Sequence, residues 1–386
     1  MDFHFTQEQL ALVQLARQVA QERVAPRSAE IDRTAEYPHD LFQVFKETGL
    51  LGVAVPEEYG GAGLGTTGLV LAVEEMAKVD CSAGLMLLLT RLPLAPIMFG
   101  GTEEQKQRYA SGIASGALRG SFCLSEPDAG SDAAGIRTRA VRNGDKYVIN
   151  GTKNWISGAG VADFFTVAAK TDPGAGHKGI SVFVVDRNTP GLTVGKKEQK
   201  MGVRGVPVNQ VIFEDVEVPA ENLLGQENQG FSIVMKTLNS VRPVVAARGL
   251  GLAQGALQYA IEYAKQRHAF GRPIIENQGL QWMMAELATK IEAARLLTYR
   301  AAQLVDEGKA GKETAHYLSM AKWFATETAQ QAATDAIQFL GAPGYMEDYP
   351  LERFYRDVKQ LTIVEGTTQI QKGIIGKALL EGYLAW

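Results

Sequence analysis

Only two cysteines, Cys81 and Cys123, occur in the 386 residues. They make no CxxC and no disulfide framework, a usage that fits a reducing compartment. The five histidines are scattered, without an HExxH or a Cys/His cluster, so no metal site is expected. An excess of one charge is also missing: 39 Lys and Arg stand against 43 Asp and Glu, a net charge of −4. That balance offers no general attraction to nucleic acid or to an anionic membrane. The most apolar run, Leu85 to Leu89, is cut short by Arg91, Pro93 and Pro96. It falls well below the ~20 residues of a membrane span. The opening MDFHFTQEQLALVQLARQ has no basic region followed by an apolar stretch, so no signal peptide is read and a cytoplasmic location is expected. There is no GxSxG elbow, and Gly373-Ile-Ile-Gly-Lys377 is too short for a phosphate-binding loop.

What is present is an ordinary globular composition, 46% hydrophobic and 21% charged, in a chain long enough for two or three domains. Three segments differ in pattern. Residues 1–118 carry apolar residues at helical spacing, in the stripes Leu10, Val13, Leu15, Ala16, Val19 and Leu41, Phe42, Val44, Phe45. Thr6 is a candidate N-cap, and loops are expected at Pro26, Pro38 and Tyr59 to Gly63. Residues 119–227 hold short β-rich runs: Tyr147 to Ile149, Phe164 to Val167, Ile180 to Val185 and Val211 to Phe213. No helical stretch separates them, so an antiparallel barrel or sandwich is expected rather than a parallel sheet. From 228 to 386 long helical patterns return, at Gln278 to Glu307 and Lys312 to Gln338, and predict a helical bundle. Pro243 should mark a kink or a fresh first turn.

Four stretches could carry chemistry. Gly63-Leu-Gly-Thr-Thr-Gly68 matches GxGxxG, but no strand leads into it, and a plain glycine loop explains it. Phe122-Cys-Leu-Ser-Glu-Pro-Asp-Ala-Gly-Ser-Asp132 leaves a strand for a loop whose NH and hydroxyl groups could bind carbonyl or phosphate oxygens; a simple turn is the alternative. In Lys153-Asn-Trp-Ile-Ser157, Trp155 and Ser157 would share one face of a strand, suited to a flat heterocycle or to core packing. Val364-Glu365-Gly-Thr-Thr-Gln-Ile-Gln371 precedes the last helix, where Thr368 and Gln371 form a capping-box pair and Thr367 is a second candidate cap. Glu365 there could be a functional carboxylate or simply one stabilised near a helix dipole.

These stretches occur in one order with others: Val55-Pro-Glu-Glu-Tyr-Gly-Gly61, Lys200-Met-Gly-Val-Arg-Gly205, Phe213-Glu-Asp-Val-Glu-Val-Pro219 and Arg267-His-Ala-Phe-Gly271. Together they resemble the acyl-CoA dehydrogenase family over nearly the whole chain. The resemblance implies an α+β multidomain fold: an N-terminal helical domain (1–118), a central antiparallel β-barrel domain (119–227) and a C-terminal four-helix bundle (228–386). It implies one FAD per subunit, an acyl-CoA substrate, a homotetramer built as a dimer of dimers, and an electron-transferring flavoprotein as acceptor. Phe122, Leu124, Ser125, Ser131, Trp155 and Ser157 would contact FAD. Arg267, Phe270, Gln278 and Gln338 would reach it across a subunit interface, and Thr367 and Gln369 would complete the site. Ser131 and Arg242 would contact the CoA portion, and Gly366 would also contact the substrate. Glu365 matches the base that removes the α-proton, while its backbone NH and a flavin ribityl hydroxyl would hold the thioester oxygen. The β-hydride would pass to the flavin.

Departures from the family pattern are Val364 where Tyr is frequent, Gly341-Ala342 where Gly-Gly is usual, and two arginines, Arg91 and Arg248. Some members carry the base just before the arginine matched by Arg242; that position is Val241 here, which leaves the role to Glu365. Arg91 follows the apolar run, near Leu88 and Leu92. Arg248 lies seven residues after Val241, two helical turns on and able to share its face. Either could bind a second carboxylate on the acyl group, or could pair with a protein acid such as Glu74 or Glu75. An oxidase using O₂ and a non-catalytic flavin-binding relative are the rival readings.

Overall fold

The computed structural model describes residues 5–384, so the outer limits 1 and 386 lie outside the described residues. Seven helices open the chain: α1 (Gln7–Val19), α2 (Ser28–Thr34), α3 (His39–Glu47), α4 (Gly65–Ala77), α5 (Cys81–Leu88), α6 (Ala95–Gly100) and α7 (Glu103–Ala114). Thr6 caps α1 in a reciprocal pair with Gln9. Leu12, not Leu10, completes the buried stripe of α1 with Ala16 and Val19; Leu10 stays 42% exposed. Pro26 makes no loop. It sits in a tight turn between a wider turn at Ala20–Val24 and α2, where its missing NH is tolerated. The GxGxxG stretch is a glycine loop. Gly63 and Gly65 adopt φ of 65° and 63°. The Asp306 carboxylate accepts from the Thr66 NH at 2.6 Å and the Thr67 NH at 2.8 Å, occupying the start of α4.

The middle segment holds β1 (Gly120–Cys123), β2 (Arg139–Asn143), β3 (Lys146–Ser157), β4 (Phe164–Lys170), β5 (Ile180–Asp186), β6 (Leu192–Lys197), β7 (Val208–Pro219) and β8 (Leu223–Leu224). They form one sheet in the order β6-β7-β3-β2-β4-β5-β8, with β1 added alongside β4. Most pairs are antiparallel, but β1·β4 and the single β2·β4 contact are parallel. The strand pairing by itself does not close the sheet into the expected barrel. β6 and β8 are the two ends of the sheet and do not pair with each other, and β8 is only two residues long. Alternating Tyr147, Ile149, Phe213 and Val185 fill one core.

The third segment begins with α8 (Gly230–Gln266), 37 residues that run through Pro243 as one helical element. A hairpin of β9 (His268–Ala269) and β10 (Arg272–Pro273) leads to α9 (Gln278–Asp306), α10 (Ala315–Leu340), α11 (Leu351–Leu361) and α12 (Thr368–Leu380). The bundle therefore has five helices rather than four, with α10 packed on α8, α9, α11 and α12. Glycines let α8 lie close to its neighbours. A Cβ at Gly251 would stand 2.3 Å from the Glu74 oxygen of α4, and one at Gly249 would stand 3.1 Å from the Ala325 oxygen of α10. The expected Thr368–Gln371 capping box is also corrected. Thr367 caps α12, its hydroxyl accepting from the Ile370 NH, while Thr368 turns to Glu327. Gln371 is fully buried and faces back into the preceding loop.

One buried ion pair ties the loop after β1 to β3. Lys153, wholly buried, donates to the Glu126 carboxylate at 2.8 Å and to the Leu124 carbonyl at 2.9 Å. Glu126 also accepts from the Arg137 and Thr138 amides. Burial pushes the Glu126 carboxyl up, but Lys153 and these donors outweigh it and hold it below 4.5. Its contribution to stability is therefore complete above that value and lost as pH falls through the folded-state pKa. Glu126→Ala, which strands a buried ammonium, is expected to destabilise the holoenzyme by about 3–5 kcal/mol in urea titrations at fixed FAD. A loss near zero would contradict this role.

Candidate active site

Three helices and one loop converge on Glu365. The loop between α11 and α12 carries it at φ 49°, a left-handed conformation unusual for a residue with a side chain. Two buried donors hold the next peptide from its carbonyl side. Lys322, on α10, donates to the Gly366 carbonyl at 2.9 Å. Gln371 donates to the Glu365 carbonyl at 3.2 Å and to the Gly366 carbonyl at 3.0 Å. Among the described residues, nothing accepts a hydrogen bond from the Glu365 NH. The residue as a whole is half-buried, yet its Oε2 is fully buried and has no partner. Burial raises the carboxyl above its ordinary 4.5, and Arg248 and then Lys322 oppose that rise. Lys322 is itself pushed down to about 8 by burial, so it is charged at neutral pH.

Helix α8 delivers two further cations. Arg242 is buried, donates to the Asn239 side chain at 2.6 Å, keeps its Nε unpartnered, and is pushed down to about 10 by burial. Arg248 is wholly buried between α5, α8 and α11. Its Nη2 donates to Gln360 Oε1 at 2.8 Å and to the carbonyl and sulfur of Cys81 at 3.3 Å. Its Nε and Nη1 have no acceptor. Arg91 stands elsewhere. It is half-buried after α5, its Nε is unpartnered, and burial lowers its pKa while Asp306, not Glu365, acts on it. Glu74 and Glu75 serve neither arginine. Glu74 takes Tyr299 and Arg295, and Glu75 takes Arg17 and Lys78.

The second group of predicted residues gathers where β1 leaves the sheet. Ser121 donates to the Ser157 carbonyl and the Asn154 NH to the Ser125 carbonyl, which brings Phe122, Leu124 and Ser125 beside Trp155 and Ser157. The strand is not regular there. Trp155 adopts φ 57° at a bulge between Lys153 and Ile156, and the residue is 55% exposed. Ser131 is exposed on the loop beyond. Arg267, Phe270, Gln278 and Gln338 lie exposed on the bundle, and Phe270 is 99% exposed at φ 54°. No bond joins them to the Trp155 group within the described residues. Thr367, Gln369 and Gly366 flank the base at the head of α12. The sequence reading missed Lys322 and Gln371 as holders of the Glu365 loop. The one available signal was a lysine on an otherwise Ala-rich helix.

Comparison with known proteins agrees in every segment. The N-terminal, middle and C-terminal domains of acyl-CoA dehydrogenase match residues 6–117, 121–216 and 228–380. An acyl-CoA dehydrogenase of Bacillus subtilis is 46% identical over 98% of this chain and 100% of its own. A chain in the solved structure of the electron transferring flavoprotein of Acidaminococcus fermentans is 45% identical, with a TM-score of 0.95 over 98% of this chain and 100% of that one. A glutaryl-coenzyme A dehydrogenase in complex with glutaryl-CoA is 37% identical, with a TM-score of 0.94 over 99% of this chain and 97% of that one. With matches this long and this similar, the chain belongs to the acyl-CoA dehydrogenase family, FAD-dependent oxidoreductases that act on the CH–CH bond of acyl-CoA thioesters.

Proposed function

We propose that the protein desaturates an acyl-CoA thioester between its α and β carbons, with Glu365 as the base. The observation that carries this is the loop itself: a buried carboxyl with a raised pKa, beside an amide NH that no group among the described residues uses. The α-proton of a thioester is too weakly acidic for a solvated carboxylate, so the developing enolate has to be stabilised. The Glu365 NH is the donor for the thioester oxygen, and Lys322 and Gln371 keep that loop fixed. Arg248 and Lys322 add positive charge in a low-dielectric setting where enolate charge develops. Raising the carboxyl toward neutrality improves its strength as a base.

The residues around Trp155 suit FAD. An exposed indole and the Ser125 and Ser157 hydroxyls offer a flat apolar face with polar edges. Two of the carboxylates on this loop are already engaged, Glu126 by Lys153 and two amides and Asp128 by Arg137. When bound, FAD supplies the acceptor for the β-hydride. Phe270, Trp282, Tyr345 and Leu380 leave large apolar surfaces exposed on the bundle, which supports assembly into a homotetramer with Arg267, Phe270, Gln278 and Gln338 facing a partner's FAD. The similarity to a chain solved with an electron transferring flavoprotein supports such a protein, rather than O₂, as the electron acceptor. For the acyl group, the surplus of buried cations over the single base favours a chain with a second carboxylate over a plain apolar one.

The purified protein should release FAD on acid treatment. Glu365→Gln should keep FAD and bind acyl-CoA, while anaerobic flavin reduction falls by ~10²–10⁴ or more. Reduction at near the parent rate would place the base elsewhere.

The pH profile gives a second check. Flavin reduction requires ionised Glu365, so its acid limb should lie above pH 4.5. Lys322→Met removes a charge that favours the carboxylate, so the limb should move to still higher pH. A limb that stays in place would mean that Lys322 only packs.

Phe270→Ala should leave each subunit folded but lower the FAD retained after gel filtration. Unchanged FAD content would remove Phe270 from the cofactor site.

A further inference from the structure

Resting on the desaturation just described, we propose that Arg248 binds a carboxylate at the far end of the acyl group, making a short dicarboxylic acyl-CoA the substrate class. Three observations carry the assignment. First, Arg248 is wholly buried yet has no carboxylate partner among the described residues. Its only acceptors, Gln360 and Cys81, all engage Nη2, so the N–H groups of Nε and Nη1 are left without a partner. A buried guanidinium in that state is unfavourable until an anion arrives. Second, it is the charge that acts most strongly on Glu365, although the two form no direct ion pair. Gln360, which accepts from Arg248, also accepts through its carbonyl from the Ile363 and Val364 amides at the start of the Glu365 loop. Third, the elements that carry the guanidinium are apolar beside it. The Arg248 stem crosses α5 at Gly84, where an added Cβ would stand 3.4 Å from its Cγ, and Leu85, Leu88, Val244 and Val245 are buried around it.

With the α-carbon held at Glu365, an acyl chain of succinyl or glutaryl length sets its terminal carboxylate near the free N–H groups. A monocarboxylic chain of equal length would leave the guanidinium unpaired in an apolar surround. Arg242 does not compete for this role: Glu365 feels Arg248 and Lys322 but not Arg242. Arg91 does not either, because Asp306 is the charge that acts on it.

The test uses the FAD-loaded enzyme and anaerobic stopped-flow reduction by butyryl-, succinyl- and glutaryl-CoA. One of the two dicarboxylic thioesters should exceed butyryl-CoA in kcat/KM by about a hundredfold or more. Arg248→Gln should collapse that ratio to below about tenfold, by raising KM for the dicarboxylic thioester on top of a loss of kcat shared with butyryl-CoA. Binding without turnover gives an independent reading. In Glu365→Gln, the preferred dicarboxylic thioester should raise the melting temperature more than butyryl-CoA does, and adding Arg248→Gln should erase the difference. Butyryl-CoA equal to or better than both dicarboxylic thioesters in the parent enzyme would overturn the assignment while leaving the desaturation intact. So would a dicarboxylic preference that survives Arg248→Gln. Failure of every thioester to reduce the flavin would instead overturn the desaturation on which the assignment rests.

Discussion

A carboxyl group cannot be both buried and ionised unless positive charge is set opposite it, and this constraint organises the helices around residue 365. Glu365 gains basic strength from burial and keeps a usable anionic form because Arg248 and Lys322 act against that burial. Neither cation is free to leave. Lys322 is bound to the Gly366 carbonyl and Arg248 to Gln360 and Cys81. The same lysine thus sets the charge at the base and fixes the peptide beside it. Moving α10 would alter the pKa of the base and the aim of its NH together.

That placement depends on how closely α8 approaches its neighbours. Gly251 faces the Glu74 backbone and Gly255 the Lys78 backbone, at separations that a Cβ could not occupy without a backbone shift, and Gly249 faces the Ala325 backbone at a tight 3.1 Å. Arg248 sits at the head of this small-residue face. With the helices so near, its long side chain has no route to solvent and runs along α5 to Cys81 and α11. The packing that makes the bundle compact is also what buries the charge. The sheet side works differently. There a buried Lys153–Glu126 pair anchors the loop, and a bulge turns Trp155 outward where regular alternation would have buried a residue of its type.

The sequence showed the succession of helices, strands and helices because each has its own hydrophobic period, and it showed Glu365 because that residue lies in a motif of fixed order. It did not show the order of the strands or the parallel pairing of β1 with β4, since strand patterns say which face is buried but not which strands are neighbours. It assigned Gln371 to a cap because Thr-x-x-Gln spacing is local. Its actual partners, the carbonyls of residues 365 and 366, become reachable only once the loop turns left-handed at Glu365. Lys322 was invisible for a related reason. A lysine on an alanine-rich helix looks like a solvated face until α12 is laid over it.

Arg91 and Arg248 make the same point in chemical terms. Both stand beside apolar runs in the sequence, and both have guanidinium nitrogens without partners in the fold. Local pattern cannot rank them. What separates them is the position of acids far away in the chain. Asp306 comes to the side of Arg91 while it caps α4, and Glu365 comes to the side of Arg248. An arginine near a carboxylate that serves a helix start has a structural counter-charge. An arginine near a carboxylate that must itself accept a proton lacks a permanent one, because that carboxylate is neutralised during the reaction it performs. Of these two, Arg248 is the one without a carboxylate that serves as a permanent counter-charge.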